Sequence, residues 1–473
     1  MIRFLNIIFL FFVTGISAQI QMGPLFSDDM ILQRESQVPI WGLASPNEKV
    51  TILSSWNNKT ASTKADNKGN WILKIETPLA GGPYEINITS GDSVLNYSNV
   101  LIGEVWIASG QSNMQMALFG GSKEPVIGSI DVIAQSKNTN IRLFTVKLSS
   151  SETPTKELKG KWLVSSPANS SSFSAVAYSF ANYLNKVLDI PIGIINTSWG
   201  GSPAEAWTDN KTLVDNFSKT EIRNNHKDKA VYHNPSGLFN AMIHPLIPFK
   251  IRGAIWYQGE ANVGRANNYT KLMNNMIDGW RLNWNQGSFP FYFVQIAPNG
   301  AEGKKNKSDQ AYLREAQMMT MMQTENSGMA VTMDIGSEFT VHPPEKILVG
   351  KRLAYWALVK DYGIKGISFS GPIYKSLTIK GDKIIVNFDY AQNGVTSYNE
   401  PLLGFEISGS DKVFYPAKAK VIRTYGFNRS KLEVSSESVK KPVAVRYGWK
   451  NYLKGNLYNT QGLPASSFRS DSW

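Results

Sequence analysis

The chain has 473 residues and a formal charge of +12, with 42% hydrophobic and 18% charged residues. That is the make-up of a globular protein with a sizeable core and room for about three domains. Lysines are scattered, with no basic arm or aromatic–basic array, so no nucleic-acid partner is expected. The absence of cysteine excludes disulfides and leaves the core alone to hold the fold.

Residues 1–18 carry Arg3, an apolar run over 5–13 and the small-residue end Gly15-Ile16-Ser17-Ala18. They read as a secretory signal peptide, the alternative being an uncleaved anchor. The expected location is therefore exported, periplasmic or extracellular. No later run of about twenty apolar residues occurs, so no membrane association is expected after cleavage. Residues 19–100 read as a β-sandwich domain. Alternating runs at 38–41, 50–54, 71–75 and 84–89 are separated by Ser45-Pro46-Asn47, Asn67-Lys68-Gly69-Asn70 and Gly81-Gly82-Pro83.

From 101 to 365 the pattern switches to strands alternating with helices. Apolar strands are expected at 105–108, 192–196, 253–257, 291–296 and 329–333, each covered on both faces. Ala177, Phe180, Ala181, Leu184 and Leu188 share one helix face, as do Leu272, Met273, Met276, Ile277 and Trp280. Residues 310–323 and 346–360 are further helix candidates, with Met318, Met319, Met321 and Met322 read as core packing. The whole predicts an α/β fold, a doubly wound parallel sheet. Residues 366–473 return to β, with strands at 377–379, 383–388, 403–407, 431–434 and 443–447. This region either closes a second sandwich or packs back on the first.

Four stretches put polar residues at strand ends. In GEVWIASGQSNMQM (103–116) a buried strand runs into a tight turn with Ser112 at its middle. Open α/β sheets place their chemistry at the carboxyl ends of strands. The turn is not GxSxG, because Met114 stands where that pattern needs a second glycine. In NTSWGGSPAEAW (196–207), Gly200 and Gly201 can present a bare backbone N–H, or simply form a flexible turn. GAIWYQGEANV (253–263) delivers Gln258, Glu260 and Asn262, which are costly in a core but suit a cleft mouth. Glu260 is alternatively a structural carboxylate paired with Arg265 or Arg281. In DIGSEFTVHPPEK (334–346), His342 follows the last strand and precedes a helix. Of the other histidines, His226 and His233 lie in a polar segment and His244 in the packing segment MIHPLIP. No cluster has metal-ligand spacing, so neither metal nor cofactor is expected.

Taken together, the four blocks resemble those of the SGNH hydrolases, specifically the sialate O-acetylesterase-like carbohydrate esterases. The likeness extends over PLFSDDMILQRESQVPIWG (24–42), FSAVAYSFA (173–181), LREAQ (313–317), GFEISGSD (404–411), PVAVRYGW (442–449) and NLYNTQGLPASSF (456–468). It implies an SGNH/flavodoxin-like core with accessory all-β regions at both ends. It implies Ser112 as nucleophile and His342 as general base. The implied oxyanion hole is the amides of Ser112 and Gly201, with Gly200 the near alternative, and the side chain of Gln258, with Asn262 second. Glu260 is left to orient Gln258 or the histidine, or to bind sugar hydroxyls.

One position departs from the family. An aspartate usually stands two or three residues before the histidine, where this chain has Thr340 and Phe339. Glu338 and Asp334 are the nearest carboxylates and Glu260 comes from another loop; otherwise His342 works in a dyad oriented by a backbone carbonyl. The expected function is a serine esterase that removes O-acetyl groups from sugars, first among them 9-O-acetylated sialic acid. Acetylated xylan or another polysaccharide is the alternative substrate, and a basic group such as Arg265 for the sialate carboxylate would separate the two. An inactive glycan-binding protein is the alternative of another class, and the absent aspartate is its support.

Overall fold

The computed structural model describes residues 19–121, 123–222, 230–422 and 430–473, so the segment read as a signal peptide and His226 lie outside the described residues. At its centre β1 (Ser93–Gly110) leads into a short helix α1 (Ser112–Gln115). Then follow β2 (Asn138–Thr145), β3 (Trp162–Ser165), α2 (Ala175–Leu188), β4 (Ile192–Ser198), β5 (Gly253–Tyr257) and α3 (Ala266–Trp284). The core closes with β6 (Phe291–Val294), α4 (Asp309–Gln323), β7 (Ser327–Ala330) and α5 (Lys346–Lys360). The strand order is β3-β2-β4-β1-β5-β6-β7, and every neighbouring pair is parallel except β3 with β2. The chain goes to one side of β1 for β2 and β4, then to the other for β5. Connections that part in this way open a crevice at the strands' carboxyl ends.

Every residue of β4 and β5 is buried, which is why β5 and the first four residues of β4 read as apolar runs without polar alternation. On β6, Phe291 meets Trp256 and Trp280, while its neighbour Tyr292 meets Trp106 and Trp356. Helix α2 starts where the Ser174 hydroxyl accepts the Ala177 N–H at 3.1 Å, and it stops at Asp189 in the left-handed region. Along α4 the methionines divide. Met318 and Met321 are buried, but Met319 and Met322 are exposed. The reading of all four as core packing is thus corrected, because a helix cannot turn four residues over five positions to one face.

The expected boundary near residue 100 falls inside β1. Residues 93–99 alternate in burial and 100–110 are buried throughout, so the pattern switches while the backbone continues. The first half of β1 pairs antiparallel with Gly81–Ser90; the second half pairs parallel with β4 and β5. A second small sheet, Gln21–Met22, Gln37–Leu43 and Asn70–Glu76, shares its buried core with these strands. The C-terminal region closes its own sandwich. Two four-stranded sheets enclose Ile384, Val386, Ile407, Leu432, Val434 and Val445. It docks on the α/β core through buried Arg314 of α4, which donates to the Gly448 carbonyl and to Ser467 Oγ, each at 3.0 Å. Among the described residues no helix is long and apolar enough to cross a membrane.

Candidate active site

Three strand ends lie side by side, because Gly110 of β1 is in register with both Ser198 of β4 and Tyr257 of β5. Gly110 has φ 134°, and a Cβ there would strike the Tyr257 carbonyl. The turn after β1 is fixed by Gln111. Its N–H donates to the Tyr257 carbonyl at 2.9 Å, and its Oε1 accepts the N–H groups of Gly259 and Ala261 at 3.3 and 3.2 Å. Ser112 is the first residue of α1, beside the helix amides that have no intrahelical partner.

Ser112 Oγ is 2.8 Å from Nε2 of His342, and Nδ1 of the same ring is 2.8 Å from Oε1 of Glu124. An ionised carboxylate only accepts, so the ring proton is assigned to Nδ1, and Nε2 is free to accept from the serine hydroxyl. His342 and Glu124 retain 23% and 29% of their side-chain exposure, so the pair opens to solvent. Thr340 Oγ1 donates to Glu124 at 2.9 Å and accepts the His342 N–H at 3.0 Å. Burial alone would raise the Glu124 carboxyl; the hydrogen bonds from His342 and Thr340 outweigh it and hold the group below its ordinary value.

Glu124 was not among the residues singled out from the sequence. It sits in a turn closed by reciprocal backbone bonds to Gly121, at 2.8 and 3.2 Å. The two carboxylates nearest the histidine in sequence are engaged elsewhere. Asp334 takes a two-point bond from Arg352 at 2.8 and 2.6 Å, and Glu338 pairs with Lys305 at 2.7 Å. Glu260 accepts from the Asn113 amide, and burial raises its carboxyl.

Gly200 and Gly201 follow β4. The Gly200 N–H donates to Gln115 Oε1 at 2.8 Å. Gly201 has φ 75°, and its N–H has no partner among the described residues. An ideal Cβ on Gly200 would lie 3.3 Å from Cβ of Ser112, so this turn packs against the Ser112 turn. Gln258 is fully buried and both its amide hydrogens are taken, by the Ser202 carbonyl at 3.3 Å and Asn262 Oδ1 at 2.7 Å. Asn262 Oδ1 also accepts the Ala204 N–H at 3.0 Å, and its Nδ2 donates to Glu205 at 3.0 Å. These two amides tie the third strand end to the second. Arg265 is bound to Glu205, and Arg281 donates to the carbonyls of Phe289, Glu325 and Asn326. Among the other histidines, His244 Nδ1 bonds the Thr155 carbonyl at 2.9 Å and His233 Nε2 lies 3.1 Å from the Gly201 carbonyl.

Beneath the serine turn lies a buried polar cluster. Lys346, the first residue of α5, is wholly buried and donates to Asn113 Oδ1 and to the Pro343 carbonyl, the latter at 2.7 Å. Burial lowers its ammonium to about 7 against the pull of Glu260, Glu124 and Glu345.

An activated serine, a histidine and a carboxylate in line are the parts of an acyl-transfer site. Comparisons with known proteins agree with that chemistry. Residues 102–358 match the family described as carbohydrate esterase, sialic acid-specific acetylesterase. The chain is 29% identical to the sialate O-acetylesterase of Mus musculus, over 93% of this chain and 92% of that one. It is 30% identical to the Rattus norvegicus protein of the same name, with the same two coverages. A crystal structure of a carbohydrate acetylesterase from Xanthomonas citri superposes with a TM-score of 0.87 at 35% identity, covering 96% of this chain and all of that one. The chain belongs to this sialic acid-specific acetylesterase family and is an esterase of the class that deacetylates sugars.

Proposed function

We propose that this esterase hydrolyses O-acetyl esters of sialic acid by way of Ser112, His342 and Glu124. The observation that carries the reading is the unbroken line of two 2.8 Å contacts from Ser112 Oγ through the imidazole to Glu124. His342 takes the Ser112 proton as Oγ attacks the acetyl carbonyl. The oxyanion faces the N–H groups of Ser112 and Gly201, whose positions suit that charge. His342 then protonates the departing sugar oxygen, leaving an acetyl-serine. Water, deprotonated by the same imidazole, releases acetate and restores the hydroxyl. Glu124 keeps the ring in the tautomer that accepts from serine and offsets the imidazolium charge. Gln258 and Asn262 support the hole by holding the neighbouring turns rather than by donating to it.

Sialic acid as the substrate rests on the relatives' activity. A second reading, a neutral acetylated glycan such as xylan, is favoured by one observation: Arg265, the cation considered for a sialate carboxylate, is already bound to Glu205. We also infer export, from the sequence of residues 1–18, and a doubly wound core, from aromatic contacts to helices made by the successive, oppositely facing residues Phe291 and Tyr292 of β6. The test is acetate release from O-acetylated sialic acid and from acetylated xylan, with Ser112→Ala as control. Release from sialate that vanishes in the control is expected. Release from xylan alone keeps the mechanism and moves the substrate; full release by Ser112→Ala overturns the mechanism.

A further inference from the structure

We propose that Lys346 is a positioning residue of the catalytic site, its buried amine fixing the nucleophile turn against the histidine loop. The proposal rests on the Ser112–His342 mechanism above. Lys346 Nζ donates to two acceptors from different parts of the chain. One is Oδ1 of Asn113, next to Ser112; the other is the carbonyl of Pro343, next to His342. Asn113 makes the complementary link, its Nδ2 donating to the Val341 carbonyl at 3.1 Å and to Glu260 at the end of β5. One amine and one amide thus bind the neighbours on both sides of His342 to the neighbour of Ser112, and join both to the third strand end. Asn113 and Lys346 are completely buried, so no water competes for these bonds.

The arrangement is costly, which is why packing alone does not account for it. A buried lysine loses hydration, and Oε2 of Glu260 and Oε2 of Glu345 are buried beside it with no hydrogen-bond partner. A methionine or leucine would fill the same space at the start of α5 without that penalty. What a hydrocarbon cannot do is donate to Asn113 and Pro343 together. Neither Lys346 nor Asn113 reaches the reacting atoms, so their effect passes through the Ser112–His342 distance. Rate is steep in that distance: a displacement of about 1 Å can cost on the order of 100-fold.

The test compares Lys346→Met, Glu260→Gln, the double variant and Asn113→Ala for kcat, KM and thermal midpoint. Lys346→Met alone leaves the Glu260 carboxylate without its counter-charge, so its midpoint falls. Adding Glu260→Gln removes that charge and restores the midpoint. If Lys346 positions the site, kcat of the double variant stays down by about ten-fold or more with KM within about two-fold. If kcat recovers along with the midpoint, Lys346 serves stability only and the proposal is overturned. Asn113→Ala keeps both the Lys346 and the Glu260 charges but removes the amide that donates to Glu260, so its thermal midpoint is read beside kcat, and it reports even if Lys346→Met does not fold. A kcat drop of similar size with unchanged KM is expected, and a kcat within about two-fold of the parent overturns the proposal. Full activity of Ser112→Ala in the same series instead overturns the mechanism on which the proposal rests.

Discussion

Nδ1 of His342 lies 2.8 Å from Oε1 of Glu124, a residue 218 positions earlier in the chain. Thr340, one of the two positions at which the resemblance leads us to expect an aspartate, donates to that same Oε1. In the proposed mechanism the acid thus comes from another loop, while Thr340 keeps a hydrogen bond to it. This takes away the ground for reading the chain as a binding protein that lost its acid.

Glu124→Gln tests the relocated acid. A neutral amide no longer compels the ring proton onto Nδ1 and no longer balances the imidazolium, so kcat is expected to fall on the order of 1,000-fold or more. KM should change little, since Glu124 does not touch the ester. A carboxyl held below its ordinary value stabilises the fold above its unfolded pKa, and that contribution is lost as pH falls through its folded pKa. The variant's stability deficit in urea should thus be present near pH 7 and shrink below about pH 4. Unchanged kcat would reduce the site to a serine–histidine dyad.

Gly201, like Gly110, has a left-handed conformation that the site needs. Its φ of 75° strains any other residue, and a Cβ there would come within 3.1 Å of the Tyr232 ring. Gly201→Ala is expected to cost about 1–2 kcal/mol of stability. Its larger effect falls on the amide proposed to face the oxyanion, where loss of one donor lowers kcat on the order of 100-fold. Steady-state kinetics beside a urea titration separate the two. A stability loss with kcat intact would mean that another amide holds the oxyanion.

Asn262 separates a structural amide from a catalytic one. Truncating it to alanine strips partners from Gln258 Nε2, the Ala204 N–H and Glu205 together. Leaving such groups buried and unpaired costs about 1–3 kcal/mol each at the upper end. Asn262→Ala should therefore lose both stability and activity. Lost kcat at an unchanged urea midpoint would instead make Asn262 an oxyanion donor.

What the sequence reveals depends on how local the signal is. Ser112, Gly201 and His342 stand next to apolar strands, and their stretches could be picked out because polar and small residues follow buried runs abruptly. Glu124 has no such marker. It lies in a turn between Gly121 and Pro125, and its partner is far away in the chain. Lys346 reads as an ordinary helix residue because nothing in its spacing reports burial. The inner strand β2 is hidden for a similar reason: Arg142 interrupts its apolar run, yet it is buried and pairs with Asp29 at 3.2 Å. β1 looks like two elements because its burial pattern and its pairing both change near residue 100 while the extended backbone continues. Periodicity reports the environment of a strand, and here one strand passes through two environments.

At the opposite end of the sheet, Asp361 offers a test of stability that leaves the chemistry alone. It follows α5, and its carboxylate accepts the Tyr292 hydroxyl at 2.7 Å. Burial raises its pKa from 3.8 to about 6, and Glu104 adds to the rise. A carboxyl with a raised folded pKa binds its proton more tightly in the fold than in the unfolded chain. Stability therefore falls as pH climbs from about 4 to about 6, and the full penalty applies above that window. Asn keeps an acceptor oxygen for Tyr292 and carries no charge. A tenfold difference in proton affinity between the folded and unfolded chain is worth about 1.4 kcal/mol, less where some hydration remains. Asp361→Asn should therefore gain about 1–3 kcal/mol near pH 8 and nothing near pH 3.5. Urea midpoints at the two pH values measure this directly. A gain of the same size at both would assign the effect to packing, because only an ionisation makes it depend on pH.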